Sequence, residues 1–99
     1  MRILSRSTLR EFWEQPNHTG AEQPLLAWYA EVKKANWQTP NDIKTKYRNA
    51  SFVGNNRVVF NIHGNKYRLI TAINYNVSNV YVRFIGTHAD YDKVDAATI

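Results

Sequence analysis

The stretch Arg57–Asp95, RVVFNIHGNKYRLITAINYNVSNVYVRFIGTHADYDKVD, decides the fold. Apolar and polar residues alternate in it with a period of two, over three runs separated by turn residues, as in strands with one face against a core. In the first run Val58, Phe60 and Ile62 share a face, with Arg57, Val59, Asn61 and His63 on the other. Gly64 and Asn65 both tolerate positive φ and form the tight hairpin connection. The second run, Lys66 to about Tyr75, places Tyr67, Leu69, Thr71 and Ile73 opposite Lys66, Arg68, Ile70 and Ala72. After a turn at Asn76–Asn79, Val80, Val82 and Phe84 alternate with Tyr81, Arg83 and Ile85, and the third strand stops at Gly86. No Pro follows Pro40 to interrupt this antiparallel meander.

Upstream, the pattern turns helical. Thr8 with Glu11 has the form of a capping box, and Leu9, Phe12 and Trp13 fall on one helical face before Pro16. Asn17–Gly20 reads as a turn. Leu25, Trp28, Tyr29 and Val32 make the buried stripe of a second helix, with Pro24 in its first turn and an end near Ala35. Thr39, Pro40 and Asp42 start a short helix that runs to about Tyr47. Met1–Leu4 is a first strand or a strand-like lead-in. Trp28 and Tyr29 read as core and Trp37 as a packing anchor, rather than as base-stacking platforms. The expected fold is α+β: one domain over residues 1–99, with N-terminal helices on one face of a small, mostly antiparallel sheet and the opposite face partly open.

Charge then narrows the function. The net charge is +5, with Glu11, Glu14, Glu22, Glu31 and Asp42 balancing five bases up to Asp42. From Ile43 to Ala89 no acid occurs, while Lys44, Lys46, Arg48, Arg57, Lys66, Arg68 and Arg83 all carry positive charge. A field of one sign suits a polyanion, because counterion release from phosphates drives binding to basic surfaces. Lys44, Lys46 and Arg48 either steer RNA or complement the dipole of the short helix, and the sequence leaves both open. The absence of Cys removes thiolate nucleophiles, disulfides and Cys-type zinc sites. With no apolar run near membrane length and no apolar leader core, a soluble, cytoplasmic protein is expected.

The polar end of the third strand, GTHADYDK, gathers His88, Asp90, Tyr91, Asp92 and Lys93. Hairpin-joined strands set the start of one beside the end of the next, so Arg68 faces that cluster across one edge of the sheet. Arg, His, Tyr and Asp together suit acid–base cleavage of RNA. A base takes the 2′-OH proton, a cation stabilises the phosphorane-like transition state, and an acid protonates the leaving 5′ oxygen. The same groups suit a non-catalytic grip on phosphate. His88, Asp90 and Asp92 are a poor metal set with no second His at ligand spacing, so no metal or cofactor is expected. His63 reads as an exposed turn residue, and His18 has no visible partner.

VVFNIHGNKYRLI (Val58–Ile70) followed by VYVRFIGTHADYDKVD (Val80–Asp95) resembles the HigB toxins of the RelE-like mRNA interferases, and the likeness extends upstream through Asn36–Ile62. The resemblance implies a RelE-like fold, ribosome-dependent cleavage of mRNA, and neutralisation by a HigA-type helix-turn-helix antitoxin, through which alone operator DNA is contacted. It assigns Arg68 to transition-state charge and His88 and Tyr91 to proton transfer. Arg57, Lys66, Arg83 and Lys93 would then contact phosphates. Asp92 stands where some HigB-like toxins carry another His, so it either orients His88 or acts as base. A non-catalytic RNA- or ribosome-binding module that blocks translation by occupancy is the competing expectation, and a basic domain that binds only an acidic protein is a third.

Overall fold

Beyond the three strands of the meander, the sheet has two more. In a computed structural model that describes residues 1–99, β1 (Arg2–Leu4) leads into α1 (Arg6–Trp13), a 3-10 turn (Pro16–Ala21), α2 (Glu22–Lys34) and α3 (Pro40–Lys46). Then come β2 (Ser51–Val53), β3 (Arg57–Ile62), β4 (Tyr67–Asn74), β5 (Asn79–Thr87) and α4 (His88–Tyr91). The strand order is β1-β5-β4-β3-β2, with β4 in the centre. β1 runs parallel to β5 and every other pairing is antiparallel. The α+β architecture is the expected one, and no helix is long and apolar enough to cross a membrane.

The helices start and stop for local reasons. α1 begins at Arg6 behind Ser5, so Thr8 lies inside the helix and does not cap it, while Leu9, Phe12 and Trp13 form its buried stripe as expected. Asn17–Gly20 lies inside the 3-10 turn rather than a plain turn. α3 is capped as expected: Asp42 Oδ2 accepts from the backbone N–H groups of Gln38 and Thr39 at 2.9 and 3.1 Å. Those bonds hold the Asp42 carboxyl below its usual range. Leu9, Leu25, Trp28, Val32, Trp37 and Ile43 then pack on one face of the sheet, against Val58, Phe60, Ile62, Tyr67, Leu69 and Ile73. Phe60 is the hub, stacked on Trp37 and edge-on to Trp28 and Tyr47.

The face assignments in β3 and β4 are those that the alternation predicts. In β5 they change half-way. Ile70 pairs with Phe84 but Thr71 pairs with Val82, so Arg83 is an extra residue in the ladder. A bulge of this kind shifts the side-chain parity by one. Val80 and Val82 therefore face the helices, but so does Ile85, while Phe84 joins Val59, Ile70 and Ala96 on the outer face. Gly86 does not end the strand, which continues to Thr87. The hairpin between β3 and β4 also differs: the positive φ angles fall on His63 (55°) and Gly64 (64°), not Asn65.

The outer face is partly covered. Residues after α4 fold back over it, with Val94, Ala96 and Ile99 packed on Val59 and Ile70. The Ile99 oxygen accepts from Arg57 Nε and Nη2 at 3.2 and 2.8 Å and from Arg83 Nε at 3.2 Å. This segment covers the middle of the face, around Val59 and Ile70. If the Phe60 cluster closes the helix–sheet interface, Phe60→Ala should cost about 3–5 kcal/mol, the usual range for truncating a buried aromatic. Urea unfolding would measure it, and a loss under about 1 kcal/mol would refute the hub.

Candidate functional site

α4 is placed by the end of β5 and by a cap of its own. Thr87 Oγ1 accepts from Asp90 N at 3.1 Å, and Thr87 N donates back to Asp90 Oδ2 at 3.3 Å. This reciprocal pair is a capping box. Its bonds from the Thr87 side chain and N–H hold the exposed Asp90 carboxyl below its usual range, helped by the charges of Lys93 and His18. The backbone of His88 is tied to the hairpin, since its N–H donates to Lys66 O at 3.3 Å. Gly86 lets the helix lie close. A Cβ there would meet the Phe84 ring at 2.6 Å, nearer than real Cβ contacts allow, and Asp90 Cβ at a tight 3.0 Å.

Asp90 and Asp92 therefore serve different partners. Asp90 turns back to Thr87, whereas Asp92 Oδ2 lies 3.2 Å from His88 Nδ1, one helical turn away. A carboxylate this close favours a proton on Nδ1, which leaves Nε2 as the acceptor. Both side chains are about half exposed, His88 at 51% and Asp92 at 62%. Tyr91 packs its ring on the small outer core and stands edge-on to His88, with ring centroids 6.5 Å apart. Its place there rests on the same bulge that turns Phe84 outward.

Arg68 sits directly across the ladder from Gly86 and on its other side from Asn61. It is only 8% exposed. Its Nη1 donates to Asn65 O at 3.0 Å and Tyr67 O at 3.3 Å, and its Nη2 donates to Asn65 Oδ1 at 2.6 Å. These three bonds, out of the five N–H groups of a guanidinium, leave two donors free. All three acceptors are neutral, and no carboxylate pairs with Arg68. A buried cation is costly unless it meets an anion or a dense set of dipoles. The hairpin supplies dipoles that fix the fork without neutralising it.

The expected residues fall into two groups. Arg68 and α4, with His88, Tyr91 and Asp92, lie at the same end of the sheet: Arg68 pairs with Gly86, and the His88 N–H donates to Lys66 O in the hairpin, with Lys93 just after α4. Arg57 and Arg83 do not join them. Arg57 pairs with Ala72, four residues along β4 from Arg68, or about 13 Å at strand spacing. Two residues have structural roles here that pattern did not reveal. Asn65 holds Arg68 through both its main-chain and side-chain oxygens. His18, which showed no partner in the sequence, stacks on Phe12 at 4.2 Å and stands edge-on to Tyr67.

A family model described as HigB toxin, RelE-like toxic component of a toxin-antitoxin system, matches residues 21–94. The chain is also 31% identical to the mRNA interferase HigB of Escherichia coli O6:H1, over 95% of this chain and 91% of that protein.

The α4 cap gives a sign to the acid dependence. A carboxyl whose folded pKa is depressed adds stability above its unfolded value and loses it as pH falls through the folded one. Asp90 should therefore titrate below 3.8, its unperturbed value, with α4 loosening only below that pH. Carbon-detected NMR of the side-chain carboxyl would follow it, and a midpoint at or above 3.8 would show that the cap is not formed.

Proposed function

The chain belongs to the HigB toxin family, the RelE-like toxic components of toxin-antitoxin systems, and from that membership we infer that it is an mRNA interferase. It is an endoribonuclease that acts on mRNA and is held in check by an antitoxin. We place its chemistry at Arg68, His88, Tyr91 and Asp92. The observation that carries this assignment is the nearly buried Arg68 guanidinium, fixed by the hairpin, lacking a carboxylate and keeping two donors free.

The scissile phosphate sits on that fork, which holds its non-bridging oxygens as charge builds on them. His88 Nε2, with the ring oriented by Asp92, takes the proton of the 2′-OH. The 2′ oxygen attacks phosphorus, the bond to the 5′ oxygen breaks, and the Tyr91 hydroxyl protonates that oxygen. The products are a 2′,3′-cyclic phosphate and a 5′-OH end. Lys66 and Lys93 flank the site and contact neighbouring phosphates. Arg57 and Arg83 reach RNA only where its phosphate displaces the Ile99 oxygen from them. Cleavage takes place on the ribosome in the cytoplasm, and the antitoxin is of the HigA type, with the helix-turn-helix that contacts operator DNA.

Induction in a bacterium without the antitoxin should arrest growth, and His88→Ala with Tyr91→Ala should relieve the arrest. Arg68→Lys keeps a charge but not the fork, and should slow cleavage by about 10²–10³, the range for losing one preorganised donor. Primer extension on mRNA from a translating extract reads both. Arrest with intact mRNA would favour occupancy of the ribosome over cleavage, and undiminished cleavage by the Arg68 variant would remove Arg68 from the site.

A further inference from the structure

β2 pairs only with Arg57–Val59, so Phe60–Ile62 of β3 has β4 on one side and no strand on the other. The chain that leaves α3 runs beside this gap and encloses a groove of about 260 Å³, lined by Lys46, Tyr47, Arg48, Asn49, Asn61 and Gly64 among others. A second groove of about 340 Å³ continues from it past Lys46 and Tyr47 to Lys34, Trp37 and Glu31.

The structure separates the cations that the sequence left together. Lys44 is committed to the fold, its Nζ donating to Ala50 O at 2.8 Å and lying 5.9 Å from the centre of the Phe52 ring. Lys46 and Arg48 are exposed and make no side-chain hydrogen bond or ion pair. The one acid of the two grooves, Glu31, accepts from the Tyr47 hydroxyl at 2.5 Å, so its carboxylate is already engaged. The groove beside β3 therefore carries Lys46 and Arg48 with no acid in its lining, and the second sets Lys34 and Lys46 against the single Glu31 carboxylate.

The gap also leads to the catalytic cluster. Gly64 belongs to the β3–β4 hairpin, and that hairpin carries Lys66, whose carbonyl accepts from His88 N, and Asn65, which holds Arg68. Asn61 pairs with Arg68 across the β3–β4 ladder and also lines the groove, so the way from Arg68 over β3 meets Lys46 and Arg48.

We propose that the groove between the end of α3 and the unpaired half of β3 is a single-stranded RNA subsite, which holds the backbone flanking the scissile phosphate. Lys46 and Arg48 take phosphates, the Asn49 and Asn61 amides offer hydrogen bonds, and the half-buried Tyr47 ring offers an edge to a base. This rests on the interferase reading of the Arg68–His88 cluster. The groove adds the grip on the strand beyond the cleaved linkage, which the compact cluster by itself lacks.

The test measures equilibrium binding of a fluorescent, fully 2′-O-methylated single-stranded RNA across a salt series, for the full chain and for Lys46→Ala/Arg48→Ala. Losing two phosphate contacts should flatten the slope of log affinity against log salt by about 1.4 and weaken binding at low salt. Both residues are exposed, so an unchanged melting temperature is expected and separates lost contacts from lost fold. Equal affinity and slope in the two proteins, or no RNA binding by the wild-type chain at low salt, overturns the subsite. So does a variant that loses polyglutamate binding while keeping RNA binding, since the groove would then serve an acidic protein. Cleavage by the wild-type chain in a translating extract is scored alongside: intact mRNA there defeats the interferase reading itself, whereas cleavage with unaltered RNA binding by the variant defeats only the groove.

Discussion

One extra residue in the β4–β5 ladder decides what the outer face of the sheet carries. Without Arg83 as a bulge, strict alternation would send Phe84 to the helices and Ile85 outward. The bulge reverses that order. Phe84 then covers Ile70, Gly86 lies opposite Arg68 on the outer face, and α4 can fold over the strand end with Tyr91 on the small core. A site made from one strand and the turn after its neighbour needs those two pieces on the same face, and the bulge puts them there.

Arg68 shows how the fold accommodates an unfavourable group. A guanidinium 8% exposed and paired with no carboxylate is costly, and the hairpin reduces that cost with oxygens of Asn65 and Tyr67 rather than with a counter-ion. The oxygens fix its direction but do not neutralise it. Arg57 and Arg83 are treated differently, since both converge on the Ile99 oxygen of the segment that folds back. The two treatments separate a cation held by the hairpin from cations used to pin the chain.

Much of this was legible in the sequence, and the parts that were not have a common cause. The faces of β3 and β4 follow from alternation because each strand buries one side. The α3 cap follows from Thr39, Pro40 and Asp42, and the cluster His88, Tyr91 and Asp92 is contiguous. The placing of Arg68 beside the end of β5, opposite Gly86, follows from hairpin geometry. Whatever depends on a partner strand or a main-chain oxygen was not legible. The parity of Phe84 and Ile85 depends on a ladder shift, β2 is a three-residue strand held by its hairpin partner, and Ile99 and Asn65 act through carbonyls that every residue has. Likewise, the split between Lys44 and its neighbours Lys46 and Arg48 is decided by where Ala50 and Phe52 lie, not by charge.

The central claim is that an Arg-held phosphate is attacked by its own 2′-OH with protons moved by His88, Asp92 and Tyr91. The end groups of the cleaved mRNA report on that chemistry directly. Fragments from a translating extract treated with the protein should carry 2′,3′-cyclic phosphate on the upstream piece and 5′-OH on the downstream piece. The 5′-OH would show as labelling by polynucleotide kinase without prior phosphatase. Downstream fragments that begin with a 5′-phosphate would mean that water, not the 2′-OH, was the nucleophile, and would contradict the account.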